Sequence, residues 1–161
     1  VAADSAGGNF VDLDVQATSH DFGEGPVEGT WGANGTYLAP TIRVSRGEDV
    51  VVNVSNNTDQ MTTLHWHGMH VPARMDGGPH SMVQPGQTWS PTWAIDQPAA
   101  TLWYHPHPHG QTAEQIYRGL ARLFLIDDPA VDRRGRRGTI GQREGPIVAT
   151  REMPATADMT W

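Results

Sequence analysis

The chain has 161 residues and no internal repeat, enough for one domain of ordinary size plus extensions. A formal charge of -7 argues against nonspecific binding to nucleic acid, and no apolar run approaches the roughly 20 residues of a membrane span, so a soluble protein is expected. With 18 glycines, 12 prolines and few helix-period stretches, the composition favours a turn-rich, all-β architecture.

The first residue is Val and no apolar leader precedes the first strand signal, which fits a processed export product or a trimmed chain. Val11, Leu13 and Val15 alternate with Asp12, Asp14 and Gln16, the pattern of a half-buried strand. Glycines gather from Gly23 to Gly35, where Trp31-Gly32-Ala33-Asn34-Gly35 reads as a turn. His20, with no second donor at ligand spacing, reads as a surface residue. Ile42 and Val44 alternate, as do Val50, Val52 and Val54, and Arg46-Gly47-Glu48-Asp49 predicts a tight connection between the two strands. Asn56-Asn57-Thr58-Asp59 closes the second of them.

Thr62 to Gly68 opens a further strand that carries His65-Trp66-His67. Residues two apart in an extended chain share a face, so His65 and His67 point into one space while Trp66 points away as a core aromatic. His70 leaves that face and His80 sits in a Gly/Pro loop, so neither reads as a ligand. In Met75-Asp76-Gly77-Gly78-Pro79 the glycines let the backbone approach closely or take positive φ. By spacing alone, Asp76 reads as a residue that caps its own turn.

Gln87 to Ile95 holds Trp89 and Trp93 but is interrupted by Pro91, which predicts an edge or broken strand. Thr101 to Tyr104 leads into His105-Pro106-His107-Pro108-His109, a stiff, extended segment because each proline lacks an N–H and restricts its neighbours. Gln111 to Tyr117 reads as a short helix with Thr112 as a possible N-cap, and Gly119 to Ile126 as the last strand. Beyond Asp128 the character changes. Arg133, Arg134, Arg136, Arg137, Arg143 and Arg151 hold more than half of the 11 basic residues, so residues 129–161 read as a solvated linker or irregular tail.

Five of the eight histidines fall in two short clusters, which points to a metal centre. Imidazole suits zinc, copper, iron and nickel, and spacing does not separate copper from zinc or say which two of His105, His107 and His109 bind. The chain has no cysteine, so it forms neither a disulfide framework nor a thiolate-based blue-copper centre.

His65-Trp66-His67-Gly68, Met75-Asp76-Gly77-Gly78-Pro79, Asp96 to His107 and Gly119-Leu120-Ala121 before Leu123 to Asp128 together resemble the amino-terminal cupredoxin domain of bacterial multicopper oxidases, the laccase-like and cuprous-oxidase enzymes. The resemblance spans about residues 35–128. It implies a cupredoxin-like Greek-key β-sandwich over residues 1–128 and an exported, periplasmic or extracellular protein. It also implies copper, with His65 on a type 2 ion, His67, His105 and His107 on type 3 ions, and Asp76 assisting proton delivery. By the family motif, His109 is not a ligand. Arg122 departs from the small residue usual at that position, which bears on packing if the position faces the cluster.

In the family, a type 1 copper takes electrons from a reducing substrate, phenol or Cu(I), and the trinuclear cluster reduces O2 to water. The family's carboxy-terminal His-Cys-His segment has no counterpart in these residues. A missing carboxy-terminal cupredoxin domain or another subunit is then the expected partner, and the chain alone is expected to be inactive. Two other readings stand beside this one: a copper- or zinc-binding module without turnover, and a metal-free scaffold, which would have lost the histidines. A copper nitrite reductase is excluded, because its first domain needs a cysteine-containing blue-copper site.

Overall fold

The computed structural model describes residues 9–132. The Arg-rich segment from Arg133 onward, expected to be a linker or tail, lies outside the described residues. In chain order the strands are β1 (Asn9–Asp21), β2 (Pro26–Ala33), β3 (Ile42–Ser45), β4 (Asp49–Asn56), β5 (His65–His67), β6 (Thr88–Trp89), β7 (Thr92–Ala94), β8 (Ala100–His105) and β9 (Arg122–Asp127). Helix α1 (Thr112–Tyr117) follows β8, and α2 (Pro129–Asp132) follows β9.

Alternation along β1 and β4 buries Val11, Leu13 and Val15 together with Val50, Val52 and Val54. The two strands pair in parallel, with Val11 opposite Val52 and Leu13 opposite Val54, so both apolar sets share one face. β2 flanks β1 on one side, and the short β6 and β7 pair with β4 on the other. The second sheet has the order β3-β9-β8-β5. Its inner face contributes Ile42, Val44, Trp66, Tyr104, Phe124 and Ile126 to the same core. Two sheets closed over one apolar layer make the cupredoxin-type sandwich.

Several local expectations change. Trp31 to Ala33 belong to β2, and the turn begins only at Asn34. Trp31 is fully buried, which holds the strand in place. Gly32 is needed there because a Cβ would lie 2.4 Å from the Gly35 carbonyl oxygen. β3 and β4 are joined by a tight connection, yet they enter different sheets, β3 pairing in parallel with β9 and β4 with β1. The link crosses the sandwich, with Arg46 N–H donating to the Asp127 carbonyl and Gly47 N–H to that of Ile95.

Pro91 separates β6 from β7 as expected. β9 starts at Arg122, three residues later than the Gly119 expected from the pattern. Thr112 is the first residue of α1 and no cap: its hydroxyl donates to the Pro108 carbonyl at 2.9 Å. Arg122 lies opposite Tyr104, whose ring is in the core, so it stands on the inner face and away from the imidazoles. Its Nε reaches Thr41 Oγ1 at 3.2 Å.

Candidate metal centre

β5 and β8 pair antiparallel with His65 opposite His105, Trp66 opposite Tyr104 and His67 opposite Trp103. Directly opposed residues share a face, so the two histidine clusters stand side by side on one sheet surface. Ring centroids separate His65 from His67 by 5.6 Å, from His105 by 5.4 Å and from His107 by 5.4 Å. One nitrogen from each of His65, His67 and His105 falls within a group no wider than 4.8 Å, a group that does not include His107.

Hydrogen bonds select the nitrogens. His105 Nδ1 lies 2.8 Å from the Pro106 carbonyl, the bond of an Nδ1–H donor, which leaves Nε2 with its lone pair. His67 Nδ1 approaches that Nε2 at 3.1 Å. His65 Nδ1 lies 2.9 Å from the Asp76 carbonyl oxygen and 3.1 Å from Asp76 Oδ2. This is the carbonyl or carboxylate partner that fixes a ligating imidazole's tautomer and ring orientation. Burial pushes the His105 pKa down to about 4, and the neighbouring imidazoles add to the effect against the opposing Pro106 hydrogen bond. A neutral His105 binds a metal without first losing a proton.

The Asp76 loop is built onto β5. Trp66 N–H donates to the Asp76 carbonyl at 3.3 Å, and Trp66 Nε1 to that of Met75 at 3.0 Å. Gly77 has φ of +72, and a Cβ there would lie 1.8 Å from the Leu64 carbonyl oxygen, so both reasons for a glycine apply at this residue. Trp66 is the core aromatic expected and also the anchor of this loop.

The other histidines stay apart from the cluster. His20 bonds Thr36 Oγ1 at 2.7 Å and packs on Phe22 and Tyr37. His70, His80 and His109 are exposed. Sequence reasoning missed Trp103, which stacks on His105 at 4.1 Å. It also missed Thr63, whose Oγ1 accepts the His107 N–H at 2.7 Å. Both lie two residues from a histidine in the chain, Trp103 on β8 and Thr63 just before β5, and that spacing was the available signal.

The arrangement fits a late first-row metal. His67 Nδ1 and His105 Nε2 stand 3.1 Å apart, close enough for both to reach one late first-row ion were it bound. The donors are all nitrogen, a set suited to copper and poorly suited to magnesium or calcium.

A cupredoxin sandwich that gathers imidazoles on one sheet face defines a copper protein. The multicopper oxidase family model matches residues 14–131, and the chain belongs to that family. It corresponds to the amino-terminal cupredoxin domain. Multicopper oxidase mco of Staphylococcus aureus is 40% identical over 125 residues, which cover 78% of this chain and 28% of that protein. Cell division protein FtsP of Escherichia coli is 41% identical over 116 residues, 72% of this chain and 25% of that protein. The structure of the laccase-like multicopper oxidase CueO from Ochrobactrum sp. superposes with a TM-score of 0.77 at 43% identity, over 84% of this chain and 30% of that one. The chain thus spans under a third of the length of these relatives.

Proposed function

We propose that this chain supplies four imidazoles to a trinuclear copper cluster in an oxidase that reduces O2 to water while a substrate is oxidised. The observation that carries this reading is the convergence of His67 Nδ1 and His105 Nε2 to 3.1 Å beside His65, in a member of the multicopper oxidase family. His65 takes the type 2 position, and His67, His105 and His107 the type 3 positions. Copper, when bound, would supply the one-electron redox chemistry.

The chain's own residues bind, orient and handle protons. The Asp76 carbonyl and the Pro106 carbonyl hold the Nδ1–H edges of His65 and His105. Asp76 is the proton carrier: its side chain is 38% exposed, so Oδ2 can exchange a proton with bulk water while standing 3.1 Å from His65 Nδ1. The remaining ligands and the type 1 centre, which needs a cysteine these residues lack, come from a carboxy-terminal cupredoxin domain or another subunit. Residues 1–128 are read as the cupredoxin unit and residues 129–161 as a linker or tail, of which the part from Arg133 onward lies outside the described residues.

The reducing substrate is a phenol or Cu(I). The Ochrobactrum relative has oxidase activity towards lignin model compounds and lignosulfonate, which favours the phenolic class. Export to the periplasm or the exterior accompanies this function, and among the described residues no helix is long and apolar enough to cross a membrane.

His67 is exposed, leaving the imidazole face open. A stand-alone copper or zinc module without turnover shares that feature, and oxygen uptake by the copper-loaded complete protein separates the two readings. For the site itself, His65→Ala with His107→Ala is expected to abolish Cu(II) uptake while the far-ultraviolet β spectrum stays intact. Undiminished copper binding in that double variant would sink the assignment.

A further inference from the structure

We infer that Thr63 is a positioning residue for His107, its side-chain hydroxyl accepting the backbone N–H of that histidine just beyond the ends of β5 and β8. The inference rests on the reading of His107 as a copper ligand. β5 begins at His65 and β8 ends at His105, and these two residues face each other, so Thr63 and His107 each lie two residues beyond the paired ends. β8 ends at His105, and Pro106 and Pro108 have no N–H, so the His107 N–H is the sole backbone donor between them. It donates to Thr63 Oγ1 at 2.7 Å, a side-chain acceptor in place of a strand carbonyl. Thr63 lies two residues before β5 and is fully buried.

This bond matters more for His107 than for its neighbours. The rings of His65 and His105 are each held through Nδ1, by Asp76 and by the Pro106 carbonyl. His107 Nδ1 is buried and has no hydrogen-bond partner among the described residues, so the hydrogen bond that positions this histidine is the one at its backbone N–H. The segment that presents Thr63 is itself clamped. Thr62 exchanges backbone bonds with Val83 at 3.1 and 2.8 Å, its hydroxyl donates to Gln115 Oε1 at 2.7 Å, and Gln115 Nε2 donates to the Met61 carbonyl at 3.0 Å. Gln115, also fully buried, stands on α1, which directly follows the His105–His109 segment. The helix after one histidine cluster thereby grips the segment that leads into the other.

The test compares Thr63→Val, which keeps the volume and loses the acceptor, with Thr63→Ser, which keeps the hydroxyl, in the full chain titrated with Cu(II). Thr63→Val is expected to weaken Cu(II) binding about 10–100-fold, the usual cost of losing an outer-shell partner. It should also change the paramagnetic resonance signature of the bound ion and speed amide exchange at His107. Thr63→Ser should restore all three. In a His107→Ala background Thr63→Val should cost no further affinity.

A Thr63→Val protein with wild-type affinity and spectrum, beside a His107→Ala protein that has lost affinity, overturns the positioning role alone. A His107→Ala protein with unchanged affinity overturns the ligand reading beneath it. Should Thr63→Val not fold, Thr63→Ala removes the same oxygen without adding a buried methyl, and the comparison with Thr63→Ser stands.

Discussion

β5 and β8 carry two chemistries back to back, and the two faces are held in different ways. On the inner face Trp66 lies within 5.2–6.3 Å, ring centre to ring centre, of Trp89, Trp93, Tyr104 and Phe124. On the other face single named hydrogen bonds do the holding: His65 on Asp76, His105 on Pro106, and His107 on Thr63 through its backbone. Packing spreads over many weak contacts and responds to volume, whereas a ligand face responds to single atoms. The alternation of a strand lets three consecutive residues, His65-Trp66-His67, serve both ends.

Asp76→Asn is the largest test of that separation. The His65 Nδ1–H keeps the Asp76 backbone carbonyl at 2.9 Å, so the imidazole stays oriented and the protein folds as before. What is lost is a carboxyl that carries a proton, and oxygen consumption by the copper-loaded complete protein is expected to fall about 10²–10⁴-fold. Copper content and melting temperature should hold. A loss of copper matching the loss of turnover would show that the side chain orients His65 and does not relay protons. Trp66→Ala attacks the other face, where removal of a large buried aromatic costs about 3–5 kcal/mol. Urea denaturation measures it, and because the indole also anchors the Asp76 loop, a drop in Cu(II) affinity should accompany the loss.

The pattern of the chain carried much of this division and missed what depends on long-range pairing. Alternation located β1, β3 and β4, Pro91 broke its strand where expected, and the histidine spacing put His65 and His67 on one face. The separation of β3 from β4 was hidden because their partners, β9 and β1, lie far away in sequence. β2 was masked by composition: Gly32 and Asn34 look like a turn until the burial of Trp31 is known. The roles of Thr63 and Arg122 rest on long-range contacts, the Thr63 hydroxyl with the His107 N–H and Arg122 opposite Tyr104, that no local pattern encodes. The Asp76 loop was legible in its glycines, while its stitching to Trp66 was not.

Gly77→Ala couples the two faces, because the Met75–Asp76 loop bonds both the Trp66 indole and the His65 imidazole. A Cβ would strike the Leu64 carbonyl, and a non-glycine residue at φ of +72 adds about 1–3 kcal/mol of strain. Stability by chemical denaturation and Cu(II) affinity are expected to fall together. A variant that loses stability alone would show that the loop can shift off Trp66 without disturbing His65.

Tyr104→Phe has the smallest expected effect and sharpens the comparison, since Tyr104 is the immediate neighbour of His105 in the chain but faces the core. Its hydroxyl donates to the Pro40 carbonyl, and burial holds that hydroxyl well above the ordinary phenol range, so the bond is present at any pH where the protein is handled. Phenylalanine keeps the ring and its packing on Trp66, so the loss is one hydrogen bond, about 1 kcal/mol in a denaturation curve. The imidazole of His105 points the other way and keeps its Pro106 partner, so Cu(II) affinity should match wild type. If affinity drops while stability barely changes, the inner face is steering the ligands through the strand itself, and the separation of packing from chemistry fails at its closest point.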